Sequence, residues 1–245
     1  SPKGTKTKFF ILDNLLPDEL TMKIYNNFPH QDSSLWNNAD TFREKKQSFA
    51  KIDDLDESIK IITDVFHDKQ IISCIGEICK MKSLEADPSL YAGGISLMKN
   101  GDFLNPHIDN SHDKGRIRYR RLNLLFYVSP DWDSSRGGNF ELWDDKVIMP
   151  KEITSKFSRL VVMETNKFSW HSVNKVKSDS PRCCVSNYYF SPESPTQENY
   201  YHVTSFNGRP DQKFLRLYCQ IDNKLRSFVA KRLKISRGKN LVRSI

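Results

Sequence analysis

The chain has 245 residues and a mass of 28.6 kDa, room for one or two domains, and its 38% hydrophobic and 28% charged residues describe a globular protein with a well-solvated surface. No apolar run approaches the roughly 18 residues of a membrane span, and the opening SPKGTKTKFF, which begins on Ser1 rather than Met as a trimmed chain would, lacks the basic-then-apolar order of a signal peptide. The net charge of +8 is concentrated: residues 201–245 hold 11 Lys/Arg against 2 Asp/Glu, so the first 200 residues sum to −1 and their chemistry need not involve phosphate.

In chain order, KFFILD reads as a short strand, and Pro17, Asp18 and Glu19 before LTMKIYNNF start a helix with acids at its positive end. Residues 29–56 are polar without a sustained period, the pattern of a functional loop or a mobile segment. From Glu57 to Met81 apolar residues recur at three and four, which predicts one or two amphipathic helices backing a sheet. After Pro88 the period turns strand-like through LYAGGISLM, RLNLLFYV, GNFELW, RLVVME, FSWHSV and RCCVSNYYF. With no long helix between them, these strands should pair antiparallel as a sandwich or barrel, an α+β fold with a β core. Beyond Pro210, Phe214, Tyr218, Ile221, Leu225, Phe228 and Leu233 keep helical spacing with Lys and Arg between them. The expected organisation is one structural unit: an N-terminal strand and helices in 1–87, the core in 88–192, and an extension with a basic amphipathic helix in 193–245. Five cysteines, Cys74, Cys79, Cys183, Cys184 and Cys219, form neither an even disulfide set nor a CxxC zinc pattern, so a reducing, cytoplasmic setting is expected.

His107 and Asp109 form an HxD. In extended chain they share a face, with Cα atoms about 6.6 Å apart, so imidazole and carboxylate can converge on one ion. Alone the motif is weak, since chance supplies about half an HxD in a chain of this composition. His171, in another predicted strand, completes two imidazoles and a carboxylate, a facial set that suits non-haem Fe(II) and leaves three positions open. Zinc is the rival metal, but structural zinc sites close all four positions, usually with Cys, and no cysteine stands near these residues. His112 reads as a loop histidine. Arg182 opens the last predicted strand, eleven residues past His171, so that a hairpin could bring it into the same interior; a buried guanidinium needs an anion, which a dicarboxylate ligand would supply. A strand-edge Arg with a surface salt bridge is the plainer reading of Arg182 taken alone.

HIDNSHDKGRIRYRRLNLLFYVSPDWDSSRGGNFELWD, followed by SKFSRLVVMETNKFSWHSVNKVKSDSPRCCVSNYYF, resembles the Fe(II)- and 2-oxoglutarate-dependent dioxygenases, most closely their prolyl-hydroxylase branch, over residues 88–192. The resemblance implies a double-stranded β-helix, or jelly roll, with His107, Asp109 and His171 as catalytic iron ligands and Arg182 on the distal carboxylate of 2-oxoglutarate. Tyr127 matches a family tyrosine that also contacts that carboxylate, with core packing as its other reading, and Ser186 could add a hydrogen bond. The implied reaction hydroxylates a substrate C–H with O2 and releases succinate and CO2, with ascorbate as a candidate reductant. The carboxylate of Asp109 favours hydroxylation over halogenation. Two departures bear on the substrate: Leu97 and Met98 occupy the region of a family tyrosine about ten residues before the first ligand, and the step from His171 to Arg182 is slightly long.

The substrate stays open among prolyl peptides, sugars, free amino acids and other small molecules. For the tail, a stripe docked on the barrel leads, an anionic membrane surface is second, and nucleic acid is last for want of interleaved aromatics. Two other functions remain open at this stage: a cupin-like metalloenzyme that does not use 2-oxoglutarate, and a non-catalytic β-barrel module with a basic tail.

Overall fold

The computed structural model describes residues 5–90, 93–196 and 198–233, with side chains as far as residue 226. Tyr91 and Ala92 of the first predicted core strand, and the side chains of Phe228 and Leu233, lie outside the described residues. The chain forms β1 (Phe9–Leu12), α1 (Asp18–Asn26), β2 (Asn37–Asp40), β3 (Glu44–Phe49), α2 (Glu57–His67) and α3 (Lys69–Cys79). There follow β4 (Glu85–Ala86), β5 (Gly94–Met98), β6 (Phe103–Ile108), β7 (Tyr119–Tyr127), β8 (Phe140–Trp143), β9 (Pro150–Ile153) and β10 (Arg159–Glu164). β11 (His171–Val173), β12 (Arg182–Ser191), β13 (Ser205–Phe206) and α4 (Lys213–Leu233) complete it.

Every strand pairing is antiparallel, and two four-stranded runs stand out, β10-β7-β12-β5 and β6-β11-β8-β9. They are the two faces of a jelly roll. Tyr127, Phe140, Leu142, Ile153, Val161, Met163 and Cys184, drawn from both runs, pack together between them. β3 joins the runs, because its first residues pair with β6 and its last with β5.

Strand alternation explains how one sheet serves two purposes. In β7, Leu122, Leu124 and Phe126 face outward under the helices, while Asn123, Leu125 and Tyr127 face the barrel interior. On the helix side Ile59, Ile62 and Phe66 of α2 are buried against that surface, each contributing on the order of 1.5–3 kcal/mol. The Tyr189 hydroxyl donates to the Phe66 carbonyl at 2.6 Å, fixing α2 to β12. Asp68 decides that the Glu57–Met81 stretch is two helices: it ends α2, and its carboxylate accepts from the Gln70 and Ile71 amides to begin α3.

Three expectations change. The 29–56 segment holds the β2–β3 hairpin, whose residues carry no apolar rhythm because β3 is held by backbone pairing and by the Gln47 amide, which donates to Gln31 O and Asn38 Oδ1. β11 and β12 do not form a hairpin: β11 pairs with β6 and β8 while β12 pairs with β5 and β7, so the link to Arg182 crosses from one face of the barrel to the other. α4 does not dock by its apolar stripe. It packs Leu215 and Cys219 on the barrel and is pinned by polar contacts, Asp222 with Arg43 at 2.6 Å, Asn223 with both backbone groups of Phe206, and Arg216 with the carbonyls of Lys146 and Val147.

Candidate active site

Antiparallel pairing sets His171 directly opposite His107, and the two rings stand 4.1 Å apart between centroids. Asp109 follows β6 by one residue and reaches both, with His107 Nε2 3.7 Å from its Oδ1 and His171 Nε2 3.4 Å from its Oδ2. In each imidazole Nδ1 lies near a backbone carbonyl two residues back, Asn105 O at 3.1 Å and Ser169 O at 2.9 Å. A carbonyl only accepts, so Nδ1 of each ring carries a proton and Nε2 is the atom aimed at the shared site. Burial and the neighbouring His171 hold the His107 pKa well below its ordinary value, so the ring is neutral. One ligand atom from each of the three residues falls within 4.8 Å of the others, and the set holds imidazole and carboxylate without thiolate. That geometry fits one divalent ion taken from one side.

Burial alone would raise the Asp109 pKa, but Arg120, His171 and His107 bring it well below the ordinary carboxylate range. Arg120 is 2% exposed, sits 3.2 Å from Asp109 Oδ2 and donates through Nε to Asn123 Oδ1. Asn123 in turn donates to Asp109 Oδ2 at 2.8 Å, and the guanidinium lies 3.4 Å from the Tyr188 ring centroid. Sequence reading missed Arg120 because strict alternation from Tyr127 points it outward. A bulge at Arg121, where Leu122 faces Tyr189 and Arg120 faces the adjacent Phe190, turns it inward. Phe206 was missed too: β13 pairs it with His107, and their rings stack at 5.3 Å. The extension thus reaches the site.

Arg182 starts β12 inside the barrel and is 3% exposed. Its Nε donates to Ser155 Oγ at 2.9 Å, Nη1 approaches Met98 Sδ at 3.6 Å, and the guanidinium lies 4.8 Å from the Tyr127 ring centroid. Among the described residues no carboxylate lies within ion-pair distance of it. The Tyr127 hydroxyl is buried beside it without a hydrogen-bond partner, and burial raises that phenol's pKa. A buried cation and an orphan donor side by side are a site built for an anion. Ser186 lies two alternations along the same face from Arg182, where its hydroxyl meets the Cys184 thiol at 3.7 Å. His112 lies in the β6–β7 connection, as expected of a loop histidine, but is buried there: it forms an isolated bridge with Tyr119 and its ring lies 4.2 Å from that tyrosine.

The Gly137–Gly138 pair before β8 has a physical reason. Both have positive φ, and a Cβ at Gly138 would meet Arg182 Cδ at 2.7 Å. Gly138→Ala is therefore expected to displace the guanidinium, weakening anion binding about tenfold or more, with a stability loss on the order of 1–2 kcal/mol. Isothermal titration with 2-oxoglutarate and urea unfolding would measure the two effects.

Residues 93–190 match the family described as the 2OG-Fe(II) oxygenase superfamily, and this span contains the His-Asp-His group and Arg182. Over this span the chain is similar to a 2OG-Fe(II) oxygenase domain, and prolyl hydroxylases are among its relatives. Over 96 residues it is 30% identical to prolyl 3-hydroxylase OGFOD1 of Mus musculus, a match covering 37% of this chain and 17% of the mouse protein's own length. A prolyl-4-hydroxylase of Pseudomonas putida superposes with a TM-score of 0.57 at 16% identity, covering 76% of this chain and 94% of that one. The viral collagen prolyl hydroxylase of Paramecium Bursaria Chlorella virus-1, in complex with 2OG, gives 0.51 at 14% identity, covering 75% and 96%. HygX of Streptomyces hygroscopicus, with nickel, 2-oxoglutarate and hygromycin B bound, gives 0.51 at 10%, covering 80% and 92%. At these identities the structural likenesses establish the fold alone.

Proposed function

We propose that the protein is an Fe(II)- and 2-oxoglutarate-dependent hydroxylase acting on a prolyl residue of a peptide. The observation that carries the reading is the pairing of two things in one barrel: three converging ligand groups at Asp109 and a buried guanidinium without a carboxylate partner at Arg182. His107 and His171 would hold the metal through Nε2 and Asp109 through its carboxylate. Arg182 would take the distal carboxylate of 2-oxoglutarate, with the Tyr127 hydroxyl as a second donor and Ser186 as a weaker polar neighbour. When bound, iron supplies the activation of O2 that lets one oxygen atom enter the substrate C–H and the other enter succinate as CO2 leaves. The chain's own work is placement. Arg120 and Asn123 fix the carboxylate, the backbone carbonyls of Asn105 and Ser169 fix the imidazoles, and burial of Tyr127 and Arg182 keeps water from the co-substrate's far end.

The prolyl reading is supported by the match to the mouse prolyl 3-hydroxylase. HygX, crystallised with hygromycin B, has a similar barrel around a different molecule, so the assay should include both classes. Succinate release coupled to substrate is expected with proline-containing peptides and not with free proline or an aminoglycoside; the reverse pattern would reject the peptide. Tyr127→Phe removes only an unpartnered buried hydroxyl. It should leave apoprotein stability within about 0.5 kcal/mol of wild type while raising the 2-oxoglutarate Kd roughly five- to tenfold, as read by titration.

A further inference from the structure

α4 leaves an apolar stripe open to solvent. Phe214, Leu217, Tyr218, Ile221 and Leu225 recur at i, i+3, i+4, i+7 and i+11, one face about 100° wide, and are 92, 60, 51, 63 and 62% exposed. Phe42, itself half-exposed in the β2–β3 turn, meets Tyr218 edge to face at 5.4 Å and widens the patch. Lys213 and Lys224 border the stripe on one side, both exposed and without an acidic partner among the described residues. The opposite face is not free, since Leu215, Cys219, Asp222 and Asn223 hold it to the barrel.

We propose that this face of α4 docks the protein in the plane of an anionic lipid membrane, with the five apolar side chains entering the headgroup–acyl boundary and the lysines on lipid phosphates and carboxylates. Three observations select that occupant. A clamp that encloses a basic helix needs all its sides, and one side is pinned. A second copy would bring two like-charged segments together, each with 11 Lys/Arg against 2 Asp/Glu in residues 201–245. A nucleic acid would want cations at the centre of the face, where Phe214, Ile221 and Leu225 stand. Apolar area bordered by positive charge is what a planar, negatively charged, oily surface accepts. No helix among the described residues is long and apolar enough to cross a membrane, so the contact is peripheral.

The test uses the full chain and phosphatidylcholine vesicles with and without phosphatidylserine, read by co-sedimentation at low and high salt. Binding is expected to the anionic vesicles, to weaken as salt rises, and to be slight on the neutral ones. Phe214→Gln/Ile221→Gln should lower the partition coefficient at least tenfold with an unchanged thermal midpoint, since both side chains are exposed, and Lys213→Gln or Lys224→Gln should lower it about fivefold each. Absence of binding to anionic vesicles overturns the proposal, as does binding that survives the double substitution. A dimer that the double variant abolishes, or tighter binding to duplex DNA than to vesicles, would assign the face to another occupant. None of these readings depends on iron or 2-oxoglutarate.

Discussion

Asp109→Ala is expected to abolish metal binding and turnover and also to destabilise the apoprotein by about 3–5 kcal/mol, whereas His171→Ala should remove the metal with a much smaller stability loss. The difference comes from Arg120. Its guanidinium is 2% exposed and its ionic partner is Asp109, so deleting the carboxylate leaves a buried cation unmatched. His171 has its Nδ1 on a carbonyl, and its loss leaves the Asp109–Arg120 pair in place. The same pair sets a pH dependence. The Asp109 carboxyl is held well below its ordinary value, so its contribution is complete above about pH 4, the unfolded carboxyl's pKa, and is lost as pH falls through the lower folded value. Urea unfolding at neutral pH and in mild acid should show wild type losing stability on acidification and Asp109→Ala losing less. Equal stability of the Asp109 and His171 variants would refute the Arg120 account.

Arg182→Met should raise the 2-oxoglutarate requirement by about 10²–10³-fold while iron binding is retained, because a carboxylate in that interior loses a fork of charged donors and meets only Ser155 and Tyr127. In the absence of ligand the same substitution should leave stability unchanged or raise it, since it removes a buried cation that no carboxylate among the described residues neutralises. The stabilisation that 2-oxoglutarate confers on wild type should vanish with it. Thermal unfolding with and without 2-oxoglutarate measures both halves. Equal loss of iron and 2-oxoglutarate binding would make Arg182 a structural residue.

How much of this was legible follows from which forces acted within a few residues. The apolar/polar rhythm of RLNLLFYV exposed β7 and its two faces, and the three- and four-residue spacing from Glu57 exposed α2 and α3. His107, Asp109 and His171 were readable because residue type carries the ligand chemistry, and the register of β6 on β11 brings them together. β3 was not readable: EKKQSF is a strand because β2, β5 and β6 supply its backbone partners, and nothing local says so. Arg120 was hidden by a one-residue bulge that reverses strand parity, and Phe206 by a two-residue strand far along the chain that joins β6. In α4 the spacing identified a helix correctly and its docked face wrongly, since Asp222, Asn223 and Arg216 anchor it where apolar periodicity would have chosen Phe214 and Ile221.

The central claim is that one ferrous ion and one 2-oxoglutarate share this barrel, the ion on His107, Asp109 and His171 and the dicarboxylate on Arg182. Visible absorption under anaerobic conditions tests it most directly. Adding Fe(II) and then 2-oxoglutarate to wild type should produce a weak charge-transfer band, absent from His107→Ala and requiring far more 2-oxoglutarate in Arg182→Met. A wild-type protein that binds both components and gives no band, or a His107→Ala protein that keeps it, would contradict the assignment.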